Sequence, residues 1–300
     1  MAEQIRQILV ASDLSPRANR ALSRGWRIAA QHDAVLSVLH IVEPVDGPGV
    51  PSAAWERLAK TPQKAVQVLR QEAQSELRRQ LERNQAPGPA SVDIRTRVGD
   101  PLTQILDEVR ERSIELVVIG AHGRHLMRDR LLGTLAEKIV GNGACPVLVV
   151  RTKPAYRYQR VLVPVDFSDT SRKALELVHR LAPRERLLIM HADAAAPDDG
   201  SVAHNEANHH LPATAQEREH IYEQKLRRFA DAAGLDPGAV DFLLCRGDAD
   251  TTIVRAATDL PADLIAIGTR SARGIGHLMI GSVAMHTLRE ARCDVLAVPP

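Results

Sequence analysis

Cysteine is scarce: Cys145, Cys245 and Cys293 are the three in 300 residues, and no two of them form a CxxC pair. That spacing excludes a disulfide framework, a thiol-exchange motif and a paired-thiolate zinc site, leaving buried structural thiols as the expectation. Aromatic residues make up 3% of the chain, too few to supply stacking platforms for bases. The formal net charge is +2, which gives no basic surplus for a phosphate backbone, so no nucleic-acid partner is expected. There is also no run of about 18 apolar residues to span a bilayer. The opening MAEQIRQILVASD turns acidic before a signal-like stretch develops. A cytoplasmic chain with no membrane partner is the resulting expectation.

What the sequence does have is repetition. Hydrophobic residues are 44% of the chain, enough for two ordinary cores at this length. QILVASDLSPRANRAL returns as RVLVPVDFSDTSRKAL, placing Asp13 opposite Asp166 at an offset of 153 residues. Further on, Gly99-Asp100 matches Gly247-Asp248, Gly120 matches Gly268, Gly133-Thr134 matches Gly281-Ser282, and Cys145 matches Cys293, each at an offset of 148. Internal similarity at a constant offset identifies duplicated units. We read domains at residues 1–152 and 159–300, joined by a linker at 153–158.

Each half alternates short apolar runs with amphipathic stretches. In the first half QILVAS, AVLSVLHIV, SVDIRTRV, ELVVIG and PVLVV are strand candidates. RANRALSRGWRIAAQ, QKAVQVLRQEAQSELRRQLER, LTQILDEVRER and TLAEKIVGN between them carry helical spacing of apolar residues. Strands apolar on both faces and separated by helices imply right-handed crossovers and a covered parallel sheet. The expected fold is therefore α/β: two tandem Rossmann-like, doubly wound domains, each with a five-stranded parallel sheet flanked by helices. Pro101 after Gly99-Asp100 suits a helix start, a first-turn proline behind a capping acid. The proline- and glycine-rich stretch 43–62 reads as an irregular excursion, like its counterpart in the second half.

Ligands of such sheets bind at the carboxyl ends of the strands, where strand order reverses. The turn after the first strand, with Asp13, and the loop after the fourth, GAHGRHLMRDRLLGT, should meet there. Gly120 closes its strand and lets the chain turn, and Gly123 removes a side chain where backbone must approach a ligand or take positive φ. Gly133-Thr134 opens a helix whose first amides favour phosphate, with Thr134 as an added hydroxyl donor and Arg124, Arg128 or Arg130 as supplementary charge. The competing reading is a capping box, in which Thr134 and Glu137 satisfy the helix start themselves.

The ILVASDLS opening, the HIVEP strand end, the GDP before a helix, the G-x2-G-x9-G-T stretch and the closing CPVLVV together resemble the universal stress protein family along the whole chain. The resemblance implies a five-stranded parallel sheet per domain and pairing of the two domains through their last strands as a pseudo-dimer, with a homodimer as a further assembly. In one branch of the family it implies ATP, with Mg, bound through the glycine motif; another branch lacks the motif and binds no nucleotide. On that basis Asp13 matches a ribose or adenosine contact, supported by backbone around Ala11 and Ser12. The main chain of Ile41 matches an adenine contact, and Gly120, Gly123, Gly133 and Thr134 match the phosphate loop, beside Arg124. The second half keeps Asp166, Gly268, Gly281 and Ser282, but Ser271 stands where Gly123 stands in the first. Ser271 would strain a positive φ or block a close approach, or else donate to phosphate, so ATP is expected chiefly in the first domain.

Other constellations are weaker. His122 and His125 superficially match an HxGH motif but follow the fourth strand rather than the first. His204, His209 and His210, with Glu206 and His220, form the densest metal-like cluster. They lack an HxxxH helix face and read as solvated loop histidines, so no metal site is assigned. No Walker motif or base beside the phosphate loop is found, and no catalytic residue is assigned. The expected function is a stress-response protein holding ATP as a regulatory ligand with slow or no hydrolysis. The alternatives are a nucleotide-independent scaffold acting through protein partners and a slow ATPase.

Overall fold

The computed structural model describes residues 4–43, 62–84, 88–122, 132–153, 157–183, 185–193, 215–270 and 280–300. It divides into two compact units, Met1–Arg157 and Tyr158–Pro300. The first comprises β1 (Gln7–Ala11), α1 (Pro16–His32), β2 (Val35–Val42), α2 (Pro62–Glu82), β3 (Ser91–Val98), α3 (Pro101–Glu111), β4 (Leu116–Gly120), α4 (Thr134–Asn142) and β5 (Val147–Val150). The second repeats the series as β6 (Val161–Pro164), α5 (Asp169–Leu181), β7 (Leu187–Asp193), α6 (Ala215–Ala232), β8 (Val240–Arg246), α7 (Ala249–Asp259), β9 (Leu264–Gly268), α8 (Ser282–Glu290) and β10 (Asp294–Val298), with a 3-10 turn at Pro237–Ala239. The strand order is β3-β2-β1-β4-β5 in the first unit and β8-β7-β6-β9-β10 in the second, all neighbours parallel.

Helix starts are written locally. Ser15 caps α1 by accepting the Ala18 amide, with Pro16 in the first turn where a missing N–H does no harm. Asp33, left-handed at φ 54, ends that helix. Asp100 caps α3 by accepting the Thr103 amide and hydroxyl, with Pro101 behind it. In α1 the apolar positions Ala18, Ala21, Leu22, Ile28 and Ala29 are buried. A side chain at Gly25 would meet Val10 at 2.4 Å, so α1 lies close on the sheet.

The faces of each sheet follow from strand alternation. In the first unit α1 and α2 cover the side of Val10, Leu36 and Thr96, the last bonded by Gln74 of α2. α3 covers the side of Ser37, Arg95 and Arg97. The central strands are mostly apolar on both faces, as expected of a doubly covered parallel sheet, with Ser37 of β2 a buried exception. β3 departs from that expectation. Its side toward α3 is ionic: fully buried Glu108 meets Arg95 at 3.2 Å, Arg97 at 2.6 Å and Arg112 at 2.9 Å, and Asp93 meets Arg95 and Arg112 at 3.2 and 2.5 Å. Arg97 also pairs with Glu111, and Arg112 reaches the Ser37 hydroxyl at 3.3 Å. Among the described residues no helix is long and apolar enough to cross a membrane.

Candidate functional site

β1 and β4 are neighbours, with Val10 opposite Val118, yet their connections leave in opposite directions, β1 toward β2 and β4 toward β5. Strand order therefore reverses between them, and beyond the carboxyl ends of two such strands is where an open parallel sheet offers a crevice for a ligand.

On the β1 side the turn is held by four bonds. Buried Ser12 donates its amide to Leu39 O at 2.9 Å, and its carbonyl accepts His40 Nδ1 at 2.8 Å. Its hydroxyl accepts the Leu14 amide at 3.1 Å, and Asp13 Oδ1 accepts the Ser15 amide at 3.0 Å. Leu14 is left-handed at φ 64, a conformation that disfavours a side chain by roughly 1–2 kcal/mol. The surrounding bonds hold it there. Ala11, Asp13 and Ile41 are half-buried around this turn. Asp13 thus builds the turn with one carboxylate oxygen before any ligand is considered.

On the β4 side the loop is stapled at its base. Ala121 donates to Val150 O at 3.0 Å, and Gly133 donates to Ala121 O at 2.8 Å, so the start of α4 lies beside the end of β4. Gly133 is the N-cap, at φ −66 and ψ 144, and no side chain caps it. This decides against Thr134 as the cap of a capping box: Thr134 is already the first helical residue, and it is exposed. The first turn of α4 consequently presents main-chain amides and the positive end of the helix dipole without a capping oxygen from residue 133. Gly120 closes β4 as expected, but without the positive φ of a turn glycine. It stays in the strand, paired with Val150. A Cβ there would lie 3.5 Å from the Arg17 main chain, so its setting is the close pass of α1 rather than a turn.

The second unit repeats this frame. Val165 donates to Met190 O at 2.8 Å, His191 Nδ1 meets Val165 O at 2.8 Å, Asp166 Oδ1 accepts the Ser168 amide at 3.1 Å, and Phe167 is left-handed at φ 62. Thr269 donates to Val298 O and Gly281 to Thr269 O, both at 2.8 Å, and Gly281 caps α8 with no side-chain bond. Ser282 and Asp166 are exposed. Gly268 is tighter than Gly120: a Cβ would come within 3.0 Å of the Thr170 main chain. The paired histidines His40 and His191 escaped the sequence reading, although His40 stands one residue before Ile41, which it assigned to adenine, and His191 takes the matching place in the second unit. Their repetition in the two halves was the available signal.

Gly123, Arg124, His125, Arg128, Asp129, Arg130, Ser271, His204, Glu206, His209 and His210 lie outside the described residues. His220 is exposed on α6 and bonds Gln224 at 2.7 Å. Among the described residues no group of three or more His, Cys, Asp or Glu could hold a metal ion.

The family model for the universal stress protein family matches residues 4–151 and again 157–299. The chain belongs to the universal stress protein family. It carries two copies of the family domain in tandem, each a Rossmann-like α/β unit. Universal stress protein YxiE of Bacillus subtilis is 27% identical over 149 residues, covering 48% of this chain and 98% of the relative. Universal stress protein A homolog 1 of Coxiella burnetii is 30% identical over 150 residues, covering 49% and 97%. Relatives of one domain therefore match about half of this tandem universal stress protein. Two solved structures share its fold over the full length. A universal stress protein from Archaeoglobus fulgidus, 18% identical, covers 99% of both chains at a TM-score of 0.64. A chain from Pseudomonas aeruginosa UCBPP-PA14, 23% identical, covers 99% of this chain and 94% of its own at a TM-score of 0.64.

Proposed function

We propose that this universal stress protein is a cytoplasmic stress-response module that binds ATP, with Mg, in the crevice of the first unit, as a regulatory ligand turned over slowly or not at all. The observation that carries this reading is the start of α4, drawn beside the end of β4 by the Gly133–Ala121 bond and given no capping oxygen by residue 133, at the point where strand order reverses. A polyphosphate suits amides so presented. Gly120, Gly123, Gly133 and Thr134, with Arg124, are the proposed phosphate loop. Ala11, Ser12 and Asp13 form the wall at the sugar, and the Ile41 main chain takes the base. ATP supplies the signal by its presence, and the chain's residues bind and orient it. Asp13 is a poor general base in this reading, because one carboxylate oxygen already holds the Ser15 amide.

Asp166, Gly268, Ser271, Gly281 and Ser282 form a second, weaker site, supported by the retained frame around Gly281. We read residues 153–158 as the linker and the two domains as an internal pseudo-dimer joined through β5 and β10, with association of two chains as a further assembly.

Mass spectrometry of the purified protein for co-bound adenine nucleotide, followed by calorimetric titration with ATP–Mg, tests the reading. The parent should bind and Gly123→Val should lose the first-unit site while keeping its fold. No uptake at millimolar ATP would leave the duplicated scaffold, acting through protein partners, as the surviving function. Phosphate release above that of a Thr134→Ala, Asp13→Ala control would instead favour the slow ATPase.

A further inference from the structure

Ser12 stands at the point where the β1–β2 ladder stops. The register runs from Gln7 opposite Val35 to Ala11 opposite Leu39, and one more main-chain bond, Ser12 N–H to Leu39 O at 2.9 Å, follows it. In a continuing parallel ladder the Ser12 carbonyl would next take the Ile41 amide, because a residue bonds the positions before and after its partner on the neighbouring strand. The imidazole of His40 takes it here, with Nδ1 at 2.8 Å. A carbonyl only accepts, so Nδ1 carries the proton in this bond. The second unit repeats the arrangement: Val165 N–H meets Met190 O, and Val165 O receives His191 Nδ1, both at 2.8 Å.

We propose that His40 is a positioning residue for the crevice. Its side chain terminates the β1–β2 ladder, satisfies the carbonyl of the buried Ser12, and so sets the Asp13–Leu14 turn while leaving the ladder-side peptide groups of Ile41 to face past the end of β1. Three features fit this role. Ser12 is 5% exposed, so its carbonyl needs a protein partner. The turn that follows holds a non-glycine residue at φ 64, which persists only where its neighbours over-determine it. The matching turn in the second unit has the same φ region at Phe167, whose ring lies 4.7 Å from that of His191, so the histidine there is fixed by packing as well as by its bond. In the first unit the place of Phe167 is taken by Leu14.

The inference rests on the nucleotide reading of the crevice, and two variants separate the failure of one from the failure of the other. Asn places an N–H near the position of Nδ1, whereas Ala removes the donor. His40→Ala should bind ATP–Mg about tenfold more weakly by calorimetric titration, the loss of one buried hydrogen bond. His40→Asn should recover most of that affinity. Undiminished binding by His40→Ala would overturn the inference, as would a loss that His40→Asn fails to restore. If the parent takes up no ATP, the nucleotide reading fails on its own. Hydrogen exchange at the Ser15 amide, the group bonded to Asp13, then decides the positioning role. Faster exchange in His40→Ala, slowed again in His40→Asn, supports it, and unchanged exchange in His40→Ala overturns it.

Discussion

The two units solve one packing problem in opposite ways. Where β3 meets α3, the first unit places Arg95, Arg97, Glu108 and Arg112, with Ser37 beside them. At the matching positions between β8 and α7, set by the paired registers of β2–β3 and β7–β8, the second unit has Leu243, Cys245 and Ala256, with Leu188, while Leu260, the counterpart of Arg112, is 41% exposed just past the end of α7. The backbone is the same and the chemistry is not. A buried ion pair is roughly balanced against an apolar equivalent once desolvation is counted, while removal of one partner leaves an uncompensated charge. The tandem chain therefore holds both solutions side by side, and mutation can compare them under one set of conditions.

The largest effect expected is that of Glu108→Ala. Three arginines lose their shared buried carboxylate while keeping Asp93 or Glu111, and the first unit should be destabilised by roughly 3 kcal/mol, the upper end for hydrogen bonds to a charged group. Both tryptophans, Trp26 and Trp55, lie in the first half, so urea unfolding followed by tryptophan fluorescence reads that unit selectively. Converting all four positions to those of the second unit (Arg95→Leu, Arg97→Cys, Glu108→Ala, Arg112→Leu) should recover most of the loss. A Glu108→Ala midpoint equal to the parent's would break the comparison.

The glycines at the ends of β4 and β9 give the next contrast. Gly268→Ala forces a Cβ to within 3.0 Å of the Thr170 backbone and should destabilise the second unit by about 1–3 kcal/mol. Gly120→Ala meets Arg17 at 3.5 Å and should shift the melting transition far less. Equal shifts in a calorimetric scan would mean that α1 and α5 approach their sheets alike.

Smaller again is the response to acid. Asp100 is held below its ordinary value first by the Thr103 amide and then by its hydroxyl. Glu111 is held down first by its bond to Arg97. Because both folded values are depressed, their stabilisation is complete above the ordinary carboxylate range and fades as pH falls through it and below. Asp248, the counterpart of Asp100, caps α7 with no side-chain bond. Asp100→Asn should therefore reduce the acid sensitivity of the first unit, seen in its tryptophan fluorescence midpoint between pH 5 and pH 3.

Smallest is the difference in thiol reactivity. Burial pushes the Cys145 thiol up to about 12, and Cys245, half-buried, is raised by the same cause. A maleimide at neutral pH should label Cys245 first and leave Cys145 until the protein unfolds. Labelling of both at one rate would show that the first unit opens more readily than its packing suggests.

The duplicated fold was legible because apolar periodicity and helix punctuation agree at most elements. Pro101 behind Asp100 marked its helix start correctly, since the signal is local. What escaped was set by tertiary neighbours. SVDIRTRV reads as a strand from its alternation, but only α3 explains why Arg95 and Arg97 face inward. Thr134 and Glu137 spell a capping box in sequence, yet the bond from Gly133 to Ala121 shifts the cap back by one residue. His40 looks like one more strand residue until the end of β1 is seen to lack a ladder partner for its last carbonyl.

That same bond between Gly133 and Ala121, mirrored by Gly281 and Thr269, separates two kinds of evolutionary freedom. Because each segment is cinched where it leaves and rejoins the scaffold, residues may be gained, lost or exchanged along its span without dragging the following helix out of place, and chain closure penalises added length only weakly. Sequence can drift there, generation by generation, while the architecture beneath is inherited intact.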